Sequence, residues 1–476
     1  MTLHRRLTRE IREGPTGSKI GAFFDLDRTL LAGFSATSFL RERLVSGRMS
    51  PREMAATFYG GLSFAVGRTG FSGLMAATTA AYRGLSESIL EEIGEEVFVK
   101  HLARQIYPES RALVEAHQEA GHTVAIISSA TRYQAAPLAR DMGIDHVLCT
   151  QLEVKDGCFT GEVVRPTCYG EGKAEAAREL AAREGLDLAE SYFYTDSHED
   201  LPLLEAVGRP RPLNPNRRLA QIAKERRWSV RRFRSRGRPG MGDMVRTGLT
   251  YANLGPSLVA GAAAGIVNGS FREAINVSGA LWGDLATSLA GIDLRVEGEE
   301  HLWSRRPAVF IFNHQSALDA ILMMKLVRRD VTGVGKKEIQ RDPIFGPIFS
   351  AAGVVFVDRA DTGKAIEALQ PAVEALRQGR SLAIAPEGTR SPTPKLGRFK
   401  KGAFHMAMQA GVPIVPVVFR NVLDAFPKDA SVIRPATIEV VVLPPVETRD
   451  WTVEGLDEEI RRIRDRYLAV LRQDVA

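Results

Sequence analysis

The chain has 476 residues, 44% apolar and 25% charged, a globular composition with material for two to four domains and none of the low hydrophobicity of a disordered chain. The formal charge of +6 belongs to no domain. Residues 209–238 hold twelve Lys/Arg against the single acid Glu225, a local +11, so the other 446 residues sum to −5.

Three cysteines, Cys149, Cys158 and Cys168, are an odd number without Cys-x-x-Cys spacing, which argues against a disulfide framework or thiolate metal site and for a reducing cytosol. Residues 1–18 are charged, lack the apolar core of a signal peptide and read as an N-terminal tail. Short apolar runs at 20–26, 123–129 and 191–195 read as buried strands, with helices near 111–119 and 173–183 and an all-helical insert at about 35–104. Residues 152–164, centred on Asp156-Gly157, read as a β-hairpin. After the basic stripe comes the longest uncharged stretch, 247–271. It is long enough to span a bilayer, but its five glycines and Pro256 favour an interfacial or re-entrant helical segment. Strands follow at 293–296, 307–312, 353–357, 381–385, 413–418 and 437–443. The closing helix carries the stripe Leu456, Ile460, Ile463, Tyr467, Val470 and Leu471. Strands alternating with helices in both blocks give an α/β fold.

In Phe23-Phe24-Asp25-Leu26-Asp27-Arg28-Thr29-Leu30, two carboxylates end an apolar strand and, two residues apart, point the same way off the pleat. One can attack phosphorus while the other handles the leaving group's proton. Ser128 closes the next apolar strand, ready to donate to a phosphate oxygen. Lys173 opens a helix after Gly170 and Gly172, where it can balance accumulating negative charge, and Asp196 and Asp200 again follow a strand. Hard carboxylate oxygens at Asp25 and Asp196 suit Mg²⁺. This ordered set resembles the haloacid dehalogenase-like phosphatases, in their phosphoserine-phosphatase-like branch, over residues 19–215. The resemblance implies a Rossmann-like core with a helical cap, Asp25 as nucleophile forming an aspartyl-phosphate, and Asp27 as general acid/base. It also implies Mg²⁺ held by Asp25, the Asp27 carbonyl and Asp196, with Asp200 in support. Phe58, Tyr59, Phe64 and Phe71 of the cap read as lid core rather than as contacts for an apolar substrate.

In Phe312-Asn313-His314-Gln315-Ser316-Ala317-Leu318-Asp319, His and Asp are five residues apart, and one continuous helix would leave them about 140° apart. His314 therefore belongs on a strand-to-helix loop, with Asp319 reaching back to set its tautomer so that the other nitrogen takes a proton from an alcohol. Gly335-Lys336-Lys337-Glu338, Gly353 to Arg359, Pro386-Glu387-Gly388-Thr389-Arg390-Ser391 and Gly411 to Val417 follow in order. His301 and His405 carry no motif. The set resembles the 1-acylglycerol-3-phosphate acyltransferases over residues 293–445. The resemblance implies His314 as general base, Asp319 as its orienting partner, and Lys336, Arg359, Glu387, Gly388 and Arg390 as the glycerol-phosphate site. The substrates it implies are lysophosphatidic acid and an acyl-CoA or acyl-carrier protein.

The domains expected are therefore a tail at 1–18, a phosphatase at 19–215, a basic and apolar membrane-associating segment at 216–292, and an acyltransferase at 293–476. An amphiphilic substrate gives the stripe a role, since Lys/Arg near an anionic membrane surface favour docking at the cytoplasmic face of the cell membrane. Nucleic acid fits worse, because Trp228 and Phe233 are the stripe's only aromatics. A competing reading keeps the acyltransferase and makes the first block a silent binding or regulatory module.

Overall fold

The computed structural model describes residues 3–49, 54–55, 59, 71–357 and 369–473. It divides into two compact units, Met1–Arg238 and Pro239–Ala476. The segment 216–292 is thus shared between them, the basic stripe going to the first unit and the apolar stretch to the second.

The first unit is built on a five-stranded parallel sheet. Its strands, with a separate hairpin, are β1 (Gly21–Phe24), β2 (Thr123–Thr131), β3 (His146–Thr150), β4 (Leu152–Lys155), β5 (Cys158–Val163), β6 (Tyr192–Thr195) and β7 (Arg209–Pro212). The order β3-β2-β1-β6-β7 puts β1 in the middle, where connections leave in opposite directions and a crevice opens beyond the strand ends. Alternation along β1 feeds two cores: Phe23 packs with Ala125, Ile127 and Phe193, and Phe24 with Ile126 and Tyr194 on the other face. The described parts of the insert contain the helices Ser35–Val45, Phe71–Ala80 and Glu87–Val97. The hairpin β4–β5 turns at Asp156 and Gly157, both with positive φ (51° and 74°), the geometry that favours Asp-Gly.

Two features depart from the sequence reading. Residues 3–12, expected as a tail, form a helix whose Ile11 is buried in the core. The strand β7 is Arg-Pro-Arg-Pro, which nothing in its composition marks as a strand; it is tolerated because it pairs only with β6, at the sheet edge.

A buried polar chain runs behind β6. The Pro15 carbonyl can only accept, so His122 donates to it from Nε2 (2.9 Å), leaving His122 Nδ1 to accept from His117 Nδ1 (2.7 Å). His117 Nε2 then accepts from the Tyr194 hydroxyl (2.9 Å). Burial, together with the neighbouring His122 and Arg211, holds His117 well below the ordinary histidine range; burial also lowers His122. Both stay neutral in the folded state while the unfolded chain takes up protons below about pH 6.5, so stability present at neutral pH is lost as pH falls. The melting temperature is expected to drop between about pH 7.5 and about pH 5. His117→Gln should lower it at neutral pH yet flatten that dependence; an unchanged slope in a thermal-melt series would reject the assignment.

The second unit carries a seven-stranded sheet of β8 (Ile292–Glu297), β9 (Val309–Phe312), β10 (Val331–Lys336), β11 (Val355–Val357), β12 (Ser381–Ile384), β13 (Ile414–Phe419) and β14 (Ala436–Val442). Its order is β11-β10-β12-β9-β13-β14-β8, parallel except where β14 runs against β13. The central β9 is buried on both faces, Val309 and Ile311 in one core and Phe310 and Phe312 in the other. Tyr467 of the closing helix Leu456–Leu471 is fully buried and donates to the Ile311 carbonyl (2.7 Å).

Ahead of β8 stand three helices, Met241–Ala252, Leu254–Asn268 and Phe271–Ala290. Two of the five glycines that made this stretch look irregular, Gly261 and Gly265, are packing positions. A Cβ on Gly261 would sit 2.5 Å from the Ala274 carbonyl, and one on Gly265 2.7 Å from Ala274 Cβ, so glycines one helical turn apart let the two longer helices meet closely. Among the described residues, no helix is long and apolar enough to cross a membrane.

Candidate active sites

In the first unit the strand β1 ends at Phe24, so Asp25 and Asp27 lie on the following loop rather than on one pleated face. That loop turns tightly, with the amides of Leu30 and Leu31 both donating to the Leu26 carbonyl (3.0 Å each). The Asp25 amide donates to the Tyr194 carbonyl of β6 (2.9 Å), and its Oδ1 accepts from Leu26 N (2.8 Å) and Lys173 Nζ (3.0 Å). Lys173 sits in the first turn of the helix Glu171–Glu184, almost fully buried, and also reaches Asp200 Oδ2 (2.8 Å), which Thr195 Oγ1 bonds from the other side (2.6 Å). A Cβ on Gly172 would lie 2.1 Å from the Thr167 carbonyl, so this close helix entry needs glycine. Asp196, directly after β6, is paired with Arg28 Nε (3.2 Å). Asp27 accepts from Ser35 N (2.7 Å) and Ser35 Oγ (3.2 Å) at the start of the first insert helix. Ser128, buried on β2, lies two residues beyond the partner of Phe24 and accepts from the Ala130 amide (3.2 Å).

Four carboxylates thus converge with two cations, Lys173 and Arg28, an excess of two negative charges when all are ionised. Burial pushes Asp25 up to about 7, with Lys173 opposing and Asp200 and Asp196 reinforcing the shift. Burial also raises Asp196 to about 6, against the pull of Arg28, and raises Asp27 despite its bonds from Ser35. Lys173 is depressed by burial but more than recovered by Asp200 and Asp25, so it stays charged. Among the described residues no three His, Cys, Asp or Glu side chains form a ready-made metal cage.

In the second unit His314 lies just past the end of β9, after Asn313. Asn313 anchors the loop by bonding the Phe419 backbone in both directions (Nδ2 to O, 2.8 Å; N to Oδ1, 2.7 Å). His314 Nδ1 donates to Asp319 Oδ2 (2.8 Å), and that oxygen also accepts from the amides of Gln315 (2.8 Å) and Ser316 (2.9 Å). Asp319 is wholly buried in the first turn of the helix Leu318–Val327, while His314 keeps a quarter of its side chain exposed. The proton is therefore held on Nδ1, and Nε2 presents its lone pair. Burial raises Asp319, with the His314 bond opposing it.

Glu387, expected in the glycerol-phosphate site, lies against the His314 loop: Oε1 accepts from the His314 amide (2.7 Å) and Oε2 from the Gly397 amide (2.8 Å). Both oxygens brace the loop. Gly388 has φ +74°, and a Cβ there would meet Lys400 Cε and Nζ at 3.1 Å. The exposed Lys400 thus lies beside the Glu387-Gly388 turn, and the Ser391 amide donates to the His314 carbonyl (2.7 Å). Arg390 is partly exposed near Asp429 (3.5 Å). Lys336 ends β10, two strands away from β9, and Arg359 lies outside the described residues.

Two family models match the chain, the haloacid dehalogenase-like hydrolases over residues 22–205 and the acyltransferases over 293–420. A 1-acyl-sn-glycerol-3-phosphate acyltransferase of Limnanthes alba is 37% identical over 194 residues, 40% of this chain and 68% of that protein. The "Inhibition of morphological differentiation protein" of Streptomyces azureus is 38% identical over 219 residues, 45% of this chain and 79% of that protein. Phosphoserine phosphatase SerB1 of Mycobacterium tuberculosis is 36% identical over 227 residues, 47% of this chain and 74% of that protein. The chain belongs to the haloacid dehalogenase-like hydrolases by its first half and to the acyltransferases by its second. It is an enzyme with two catalytic units, a phosphatase and a glycerolipid acyltransferase.

In the phosphatase unit the sequence reading missed Arg28, which holds a left-handed φ of 58° although it is not glycine, and which pairs with Asp196. It also missed Thr195, whose position at the end of β6 was the available signal. The cap residue Phe71 stacks on Tyr169 (centroids 4.6 Å apart), tying the cap to the loop before Lys173, whereas Tyr59 is exposed and Phe58 and Phe64 lie outside the described residues. In the acyltransferase unit Lys400 was missed; the paired lysines after Phe399 were its only trace.

Proposed function

We propose that the second unit transfers an acyl chain from acyl-CoA or acyl-carrier protein to lysophosphatidic acid, giving phosphatidic acid. The observation that carries this is the His314–Asp319 pair, with Nδ1 committed and Nε2 open at the end of the central strand. His314 Nε2 takes the proton of the lipid hydroxyl as its oxygen attacks the thioester carbonyl, then returns a proton to the departing thiolate. Arg390, Lys336 and Arg359 supply cationic donors for the substrate phosphate, and Lys400 joins them beside Gly388.

The first unit, in the same reading, hydrolyses a phosphomonoester. The Asp25 carboxylate attacks phosphorus while Asp27 protonates the leaving oxygen; water then attacks the aspartyl-phosphate and yields its proton to Asp27. Ser128 and Lys173 hold the transferred phosphoryl oxygens. Mg²⁺ fits the two-charge carboxylate excess: Asp25, Asp196 and the Asp27 carbonyl would hold it, and when bound it would neutralise phosphate charge.

Membrane docking at the cytoplasmic face belongs to this reading. Met241, Val259, Ile266, Val267 and Phe271 are each more than two-thirds exposed on the helices before β8, a concentration of apolar surface suited to lipid. The stripe is partly woven into the phosphatase unit: Arg209 pairs with Glu190, Arg226 with Glu205, and Arg211 and Arg231 with Glu10. Arg217, Arg218, Lys224 and Arg227 remain exposed. Exchanging these four for Gln is expected to weaken co-sedimentation with anionic vesicles by about tenfold or more at low salt, with little effect at high salt. Equal binding of both proteins would remove the stripe from the docking surface.

A further inference from the structure

At the end of the acyltransferase sheet opposite His314 there is a cavity of about 280 Å³ between the first turns of the helix Phe271–Ala290 and the strand starts of β10 and β12. Asp330 and Arg380 immediately precede the paired residues Val331 and Ser381, whereas His314 follows the far end of the parallel strand β9. Phe271, Arg272, Asn276, Asp330, Gln378 and Arg380 line it.

The charges here do not cancel. Asp330 is taken up by Arg272 Nε (2.5 Å) and Asn276 Nδ2 (3.2 Å), and Arg272 also bonds the Gly379 carbonyl (3.1 Å). Arg329 is paired with Glu273 (2.5 Å). Arg380 has no carboxylate within ion-pair distance among the described residues. Its guanidinium lies over the turn at Gly353, whose φ is +74° and where a Cβ would come within 2.7 Å of Nη1. One guanidinium without a carboxylate partner therefore lines the cavity together with Gln378, while the Asn276 amide is committed to Asp330. The lip residue Phe271 is 68% exposed, and Ile266 and Val267, outside the lining but just before the Gly269 turn that leads to Phe271, are 82% and 84% exposed. A small ion alone would not account for that lip; an anionic group on an apolar body matches both parts.

We propose that this cavity binds the phosphate headgroup of an anionic phospholipid whose chains lie over Phe271, Ile266 and Val267, at a site separate from the acyl-transfer centre. The inference rests on the membrane reading above. It gives the enzyme a second lipid contact that reads headgroup charge and anchors the helices ahead of β8.

The full chain tests this by flotation with vesicles of phosphatidylcholine alone or mixed with phosphatidylglycerol. Arg380→Gln is expected to weaken binding to the mixed vesicles about fivefold, the weight of one guanidinium at an anionic surface, and to leave binding to phosphatidylcholine unchanged. Arg380→Lys should keep most of the binding, and Arg380→Gln should turn over detergent-dispersed substrate at the wild-type rate. Phe271→Ser, at the exposed lip, is expected to weaken binding to both kinds of vesicle and guards against misfolding of the Arg380 variant. If Arg380→Gln binds mixed vesicles as the wild type does, the site is rejected while the membrane reading stands. Inorganic phosphate raising the melting temperature of the wild type but not of Arg380→Gln, with vesicle binding unaffected, would make it a free-anion site and overturn the lipid assignment. A wild-type protein that floats with neither vesicle overturns the membrane reading, and this inference with it.

Discussion

His314→Ala is expected to lower kcat for acyl transfer by about 10²- to 10⁴-fold, the usual weight of a positioned general base, with KM for the acyl acceptor little changed. The Nδ1 proton is fixed by the buried Asp319 carboxylate, the ring is held between two anchored segments, and only Nε2 faces outward. Asp319→Asn is expected to cost less than His314→Ala, because the base survives while its tautomer and orientation relax. Loss should also be seen in Glu387→Gln, since an amide presents one acceptor oxygen to two backbone N–H donors that the carboxylate serves with two. Phosphate release should be untouched in all three variants. An acyl-transfer rate within a few-fold of wild type in His314→Ala would remove His314 as the base.

Asp25→Asn is expected to abolish phosphate release, a fall of about 10³-fold or more, and to leave acyl transfer at its full rate. The amide lacks the nucleophilic oxygen, and it also leaves Lys173 facing Asp200 alone. Its stability effect has the opposite sign from its catalytic one: Asp25 is buried among Asp196 and Asp200, so removing its charge relieves repulsion while weakening one bond to Lys173. A phosphomonoesterase screen over phosphoserine, lysophosphatidate and phosphatidate, run with and without Mg²⁺, is the measurement. Phosphate release by the wild type that persists in Asp25→Asn would place the nucleophile elsewhere. No release from any substrate by the wild type would favour the silent regulatory module.

The legible parts of these sites share a property: their chemistry is written in residue types held at short spacing. Asp25 and Asp27 bracket one residue, His314 and Asp319 span a single loop-to-helix junction, and the angular argument that forbids a continuous helix needs only the helical pitch. The strands β1, β6 and β9 were legible because a strand buried on both faces is a short apolar run. The strand β10 was not, because Thr332, Gly333 and Gly335 dilute its apolar signal, and β7 was hidden behind alternating Arg and Pro.

What the sequence by itself determined is the pair of chemistries, their order along the chain and the α/β class of both units, since these follow from local composition and periodicity. What only the tertiary structure decided is how charges and small residues are spent. Glu387 braces two amides beside His314, Arg28 answers Asp196 across the loop, and Gly261 and Gly265 join two helices. The +11 stripe is divided between ion pairs with Glu10, Glu190 and Glu205 and an exposed set that includes Arg217, Arg218, Lys224 and Arg227. The physical reason is common to all of them. A charge or a missing Cβ acts through whatever stands within a few ångströms, and for these residues the neighbour comes from a distant part of the chain.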